Sequence, residues 1–151
     1  MKKVIAVLVV TGGLVSGCTS VPMEDKSIAD KARAASPADG KSGIYVYRPS
    51  SFGGALKKDV YIDDNCLGET APYVFLYREV EGDKQYIIST ESEFSPNDTQ
   101  LWVDSGVNYY LKQYIKLGVF VGGADLELVS AAEAQKELAT LGMAKSGTCS
   151  R

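Results

Sequence analysis

The chain has 151 residues, a prior for one domain, and an ordinary globular balance of 45% hydrophobic and 23% charged residues. Its 16 basic and 19 acidic residues leave a net charge of -3, which argues against nucleic acid as a partner, because that needs a basic face. With a histidine count of 0, Ser-His-Asp and Cys-His catalysis are impossible within one chain and the commonest zinc ligand is missing, so a non-catalytic protein without metal or cofactor is expected.

Met1-Lys2-Lys3 places positive charge at the start, and Val4 to Val10 is a continuous apolar run, weakly extended to Val15. That is shorter than the ~20 residues a membrane-spanning helix needs, and matches the charged and apolar parts of a secretory leader. Leu14-Val15-Ser16-Gly17-Cys18 resembles the lipobox of bacterial lipoproteins, in which small residues precede a cysteine that takes up diacylglycerol. The resemblance implies cleavage between Gly17 and Cys18 and anchoring to a membrane by lipid on Cys18. Thr19 stands where lipoproteins retained in the inner membrane carry Asp, which implies the outer membrane, periplasmic face. Each buried CH₂ is worth about 0.8 kcal/mol, so several acyl chains on one thiol hold stably.

With Cys18 carrying lipid, Cys66 and Cys149 remain as an even pair in an oxidising compartment. A bridge between them closes a long loop, worth roughly 4–5 kcal/mol on the chain-entropy account, and pins the C-terminal tail. Two free or buried thiols are the other reading.

The expected division is a leader over 1–17, the lipidated cysteine and a flexible tether over 18–41, a β-sandwich-like domain with a C-terminal helix over 42–142, and a polar tail over 143–151. Within the tether, Ser27 to Ala35 has the makings of a short helix, with Ile28 its only large apolar residue. Gly43 to Arg48 is rich in tyrosine and β-branched residues, a strand that stops at Pro49. A glycine- and serine-rich loop runs to Lys58. Asp59 to Asp63 and the stretch from Cys66 form a hairpin about Asp64-Asn65. Tyr73 to Val80 and Lys84 to Phe94 form a second about Gly82-Asp83, and Thr99 to Asp104 with Val107 to Leu117 a third about Ser105-Gly106. Leu126 to Val129 is a last strand. Ser130 and Glu133 form a capping box for a helix bearing Ala134, Leu138 and Leu141 on one face, with Gly142 placed to end it. These short strands and tight turns predict a mainly β fold: an antiparallel β-sandwich or partly open barrel with one C-terminal α-helix.

Gly43-Ile44-Tyr45-Val46-Tyr47-Arg48-Pro49, Val60-Tyr61-Ile62-Asp63, Leu67-Gly68-Glu69, Ile88 to Ser95 and Gly118-Val119-Phe120-Val121-Gly122-Gly123 carry a further resemblance. The region from Gly43 to Val129 is similar to a family of short proteobacterial lipoproteins known only as a domain of unknown function. More weakly, Val60 to Ser89 is similar to PEGA-type β-sandwich modules of bacterial surface proteins, though the tetrapeptide itself is missing. Both imply a fold and a location and no activity.

Several residues stand out as candidates. Tyr45 and Tyr47 share one face of their strand, as do Tyr110, Lys112 and Tyr114 of theirs. Such faces bind peptides or glycans, or else fill the core and rim of a sandwich. Phe52 beside Gly53-Gly54, and Phe120 within Gly118 to Gly123, are placed to present an apolar tip to a partner; for Phe120 a buried strand residue flanked by bulges is the other reading. The partner expected is an envelope protein or peptidoglycan. Glu91 and Glu93, on one face among Ser89, Thr90, Ser92 and Ser95, are the candidates for the alternative, a glycan-acting enzyme, or else simply a wet sheet face.

Overall fold

A computed structural model describes residues 20–150; the expected leader and the expected lipidation site Cys18 lie outside the described residues. The segment expected to be a free tether is folded onto the domain. Val21 is buried, Met23 bridges Ala144, and α1 (Lys26–Arg33) buries Ala29 and Ala32. Its one large apolar side chain, Ile28, stays exposed. Two alanines therefore make the contact, and small residues on a short polar helix leave little apolar pattern in the sequence.

Among the described residues nine strands follow, in two sheets. β1 (Lys41–Arg48), β4 (Val74–Glu81), β7 (Asn108–Lys116), β8 (Gly123–Val129) and the short β9 (Gly142–Met143) form one, in the order β8-β7-β1-β4-β9. β2 (Lys58–Ile62), β3 (Asn65–Thr70), β5 (Lys84–Thr90) and β6 (Asn97–Val103) form the other, in the order β3-β2-β5-β6. The molecule is thus mainly β and two-sheeted, with α2 (Ala131–Leu138) near its C-terminus. The larger sheet is not purely antiparallel: β1 pairs with β7 in parallel, and β4 with β9.

Only the first expected hairpin is one. β2 and β3 pair across Asp63-Asp64, both at positive φ, as a tight two-residue turn requires. At Gly82-Asp83 and Ser105-Gly106 the chain reverses but changes sheet: β5 and β6 pair with each other, while β4 and β7 flank β1. The two crossing turns are tied together, Ser105 donating from its backbone N–H and its hydroxyl to the Asp83 carboxylate at 3.1 and 2.8 Å. The cause lies in β1. Ile44, Tyr45, Val46 and Tyr47 are all buried, so β1 needs a neighbour on both edges and cover on both faces.

One apolar core lies between the sheets, with Ile44, Val46, Val60, Leu67, Leu76, Ile88 and Leu111 in it. A second lies outside the larger sheet, where α1 and α2 cover Tyr45, Tyr47, Phe75 and Tyr110 with Ala29, Ala32, Ala134 and Leu138. A buried polar tie crosses the inner core: Gln113 donates to Thr90, and Thr70 donates to Gln113. Ser130 caps α2, accepting from the Glu133 N–H at 3.3 Å, but the Glu133 carboxylate pairs with Lys112 at 3.4 Å, so the reciprocal half of the box goes elsewhere. The helix ends at Leu138, and Gly142 belongs to β9 rather than to the helix stop, with the terminal methyl of Met23 packed against it.

The expected polar tail is likewise tied down. Met143 and Ala144 are buried, Cys149 is bridged to Cys66 with Cα atoms 6.1 Å apart, and Ser150 donates from its N–H and hydroxyl to buried Asp59 at 2.9 and 2.7 Å. Among the described residues no helix is long and apolar enough to cross a membrane.

Candidate functional site

The tyrosines proposed as a binding face are divided by the helices. Tyr45, Tyr47 and Tyr110 are buried and face α1 and α2, as core rather than as an open face. Tyr45 donates its hydroxyl to the Ala32 carbonyl at 2.5 Å and stacks on Tyr110 at 4.8 Å between ring centres. Tyr47 donates to Glu137 at 2.6 Å. Burial, with carboxylates or other tyrosines nearby, pushes both phenols far above their ordinary range. These groups are neutral core, the phenol satisfied in each case by an acceptor on a covering helix. Tyr114, farther along β7 at Lys116's end, remains partly exposed, its hydroxyl on Asp125 at 3.3 Å.

Phe52 and Phe120 come together at one end of the sandwich, with neighbours that sequence reasoning passed over. The loop after β1 meets the β7–β8 connection through two close contacts. Gly53, at φ +68°, lies against Ile115, and Gly122 lies against Leu56; a Cβ would stand 2.9 Å and 2.5 Å from these neighbours. Around this junction Phe52, Phe94, Leu117, Val119, Phe120 and Val121 are exposed, Leu117 at 88% and Phe120 at 83%. They form an apolar crown of the sort that single scattered surface residues do not.

The crown's backbone is held from beneath by two charged side chains. Arg48, wholly buried at the end of β1, donates to the carbonyls of Leu56, Phe52 and Gly53 at 2.6, 2.9 and 2.8 Å. Burial without a carboxylate partner pushes its guanidinium below the ordinary value. Glu93 accepts from the backbone N–H groups of Val119 at 2.6 Å, Phe120, and Val121 at 3.3 Å. Partial burial raises this carboxyl, but the three amides outweigh that and hold it below the usual carboxylate range. The sequence carried a signal for the second of these in the Gly118 to Gly123 run; nothing local marked Arg48 as a loop anchor.

Beside the crown, the outer face of the smaller sheet is open among the described residues except where the Cys149-Ser150 tail lies on Cys66 and Asp59. A groove of about 650 Å³ runs over it, lined by Tyr61, Ile87, Phe94, Asp63, Asp64, Glu91, Glu93 and Asp98 among others. Ile87 and, on the same face, Trp102 are about half exposed. Asp63 accepts from the Ile87 N–H at 2.8 Å and Asp98 from the Ser89 hydroxyl at 2.7 Å. The proposed pair Glu91 and Glu93 does meet here, but with unlike duties. Glu91 accepts from the Asp59 N–H at 3.3 Å, and Glu93 spends both oxygens on the crown loop. A carboxyl held ionised by three amides is a poor proton donor, which is what the acid of a glycosidase pair must be.

A model of the family described as "Protein of unknown function (DUF2846)" matches residues 38–124. The chain belongs to this family. It is also 50% identical over 136 residues to an uncharacterized protein of Haemophilus influenzae, spanning 88% of this chain and 79% of that one. The matched stretch of this DUF2846 member runs from the start of β1 to the start of β8, and so contains both loops of the crown and the groove.

Proposed function

We propose that this DUF2846 protein is an exported, lipid-anchored module of the cell envelope that binds a protein partner through its apolar crown and catalyses nothing itself. The supports for export and anchoring are the basic start, the apolar run and the Val15-Ser16-Gly17-Cys18 lipobox, and Thr19 favours the outer membrane. The single observation that carries the binding role is the crown. Large apolar side chains are exposed together on loops whose backbone Arg48 and Glu93 hold in place. A held loop loses little conformational freedom on binding, so its apolar surface is available for affinity. The exposed apolar side chains outnumber the exposed hydroxyls beside them, Ser50, Ser51 and Ser95, and such tips suit a protein surface.

The test is photo-crosslinking in intact cells from positions 52 and 120, with identification of what is captured. One protein captured from both positions, and lost from position 120 when Phe52 is changed to Ser, is the expected result. No specific adduct from either position, with the protein present and folded, would end the binding reading. For the anchor, palmitate should label the wild type and not Cys18→Ser.

A further inference from the structure

The path of the chain towards Cys18 sets which end of the domain faces the membrane. Residues 142–145 run parallel to β4, which starts at Val74, opposite Arg48, at the crown end. Met23 pairs antiparallel with Ala144, Glu24 donates its N–H to Met143 and Lys145 donates its N–H to Pro22, both at 2.8 Å. Followed backwards from Glu24 to Ser20, the chain therefore runs along β4 away from the crown, descending roughly 13 Å at strand rise. It does so on the β9 edge, whereas the β7–β8 connection lies three strands across, about 14 Å sideways. Val21 is buried, so the free link from Cys18 to the folded body spans at most ~10 Å.

We propose that the lipid holds the surface around Ser20 and Ser146 directly against the bilayer, and that the crown is the membrane-distal end, turned to a protein partner across the periplasm. This rests on the lipid-anchor reading above. Exposed Lys145, hydrogen-bonded through its backbone to Pro22 at the exit point, places a cation where lipid phosphates would lie. The crown stands about 13 Å above and about 14 Å across from this exit point, farther than the free link spans, so with the exit surface on the bilayer the crown points away from it.

The sole tryptophan, Trp102, makes this measurable by energy transfer to dansyl-phosphatidylethanolamine. The full lipidated protein is reconstituted in phosphatidylethanolamine–phosphatidylglycerol vesicles as two variants, Trp102→Phe with Ser146→Trp, and Trp102→Phe with Phe120→Trp. Both new positions are exposed, so folding should survive. Transfer several-fold stronger from position 146 is expected, with emission from position 120 unshifted on reconstitution. Equal or stronger transfer from position 120, or a blue shift there with quenching by brominated lipid, overturns the orientation while leaving the anchor intact. A flexible Gly-Ser spacer between Thr19 and Ser20 should lower the wild-type Trp102 signal; an unchanged signal overturns the short leash. Failure to take up palmitate and to sediment with the vesicles overturns the anchor reading, and this one with it.

Discussion

The outer face of the larger sheet carries Tyr45, Tyr47 and Tyr110, and the outer face of the smaller sheet carries Tyr61, Ile87 and Trp102. The first sets tyrosines at alternate positions of β1 and on its neighbour β7; the second sets one large side chain on each of β2, β5 and β6. Over the first lie two helices, whose acceptors on Ala32 and Glu137 take up the phenols and whose Arg33 stacks on Phe75 at 5.3 Å. Over the second, among the described residues, only the Cys149-Ser150 tail lies, at Cys66 and Asp59, and the remaining polar atoms are satisfied sideways, Ser89 on Asp98, Trp102 on Asp104, Gln85 on Gln100. An aromatic stripe thus says that a face is fit for cover. Whether the chain itself supplies the cover is decided by segments far off in sequence.

The contrast can be broken first at Tyr45. Tyr45→Ala should cost about 3–5 kcal/mol in chemical denaturation, because it opens a cavity beneath α1 and strips Tyr110 of its stacking partner. A loss under about 1 kcal/mol would mean that the helices do not hold that face. Next comes the covalent closure on the other side. Cys66→Ser with Cys149→Ser frees a tail linked across 83 positions, with an expected loss of about 4 kcal/mol on the chain-entropy model and less if strain is relieved. Arg48→Met, of similar length but no charge, leaves three loop carbonyls without their donor and should cost about 1–3 kcal/mol, with faster hydrogen exchange confined to residues 50–57. The exchange pattern is the sharper readout, since it separates loop release from general loosening.

Glu93 gives a pH dependence of definite sign. Its folded value lies below the ordinary 4.5, so its hold on the crown loop is complete above that value and is lost as pH falls through the folded one. Amide exchange at Val119 and Phe120, corrected for intrinsic rate, should quicken in that acid range and be insensitive to pH above it; Glu93→Gln should abolish the step. The smallest effect is expected on the open face. Trp102→Ala should cost no more than about 1 kcal/mol, as its ring is 56% exposed; a larger loss would show that this face is structurally closed after all.

Much of the local structure was legible from residues alone. The strands, the reversals at Gly82-Asp83 and Ser105-Gly106, the first hairpin with its turn expected one residue late at Asp64-Asn65, the Ser130 cap and the favoured pairing of Cys66 with Cys149 follow from β-branched and aromatic runs, turn formers and an even cysteine count. The crown was half legible: Phe52 and Phe120 stood out by their glycines, while Phe94 and the anchoring Arg48 did not, because a buried arginine reads like any surface cation. What the tertiary structure alone decided was sheet membership, the parallel pairing of β1 with β7, the burial of the tyrosines and the docking of the presumed tether. The reason is one of range. Periodicity and turn chemistry act over a few residues and say that the chain reverses, whereas the choice of neighbour depends on which distant surfaces can be buried together. A strand as apolar on both faces as β1 draws in partners on every side, and only their assembly shows which ones.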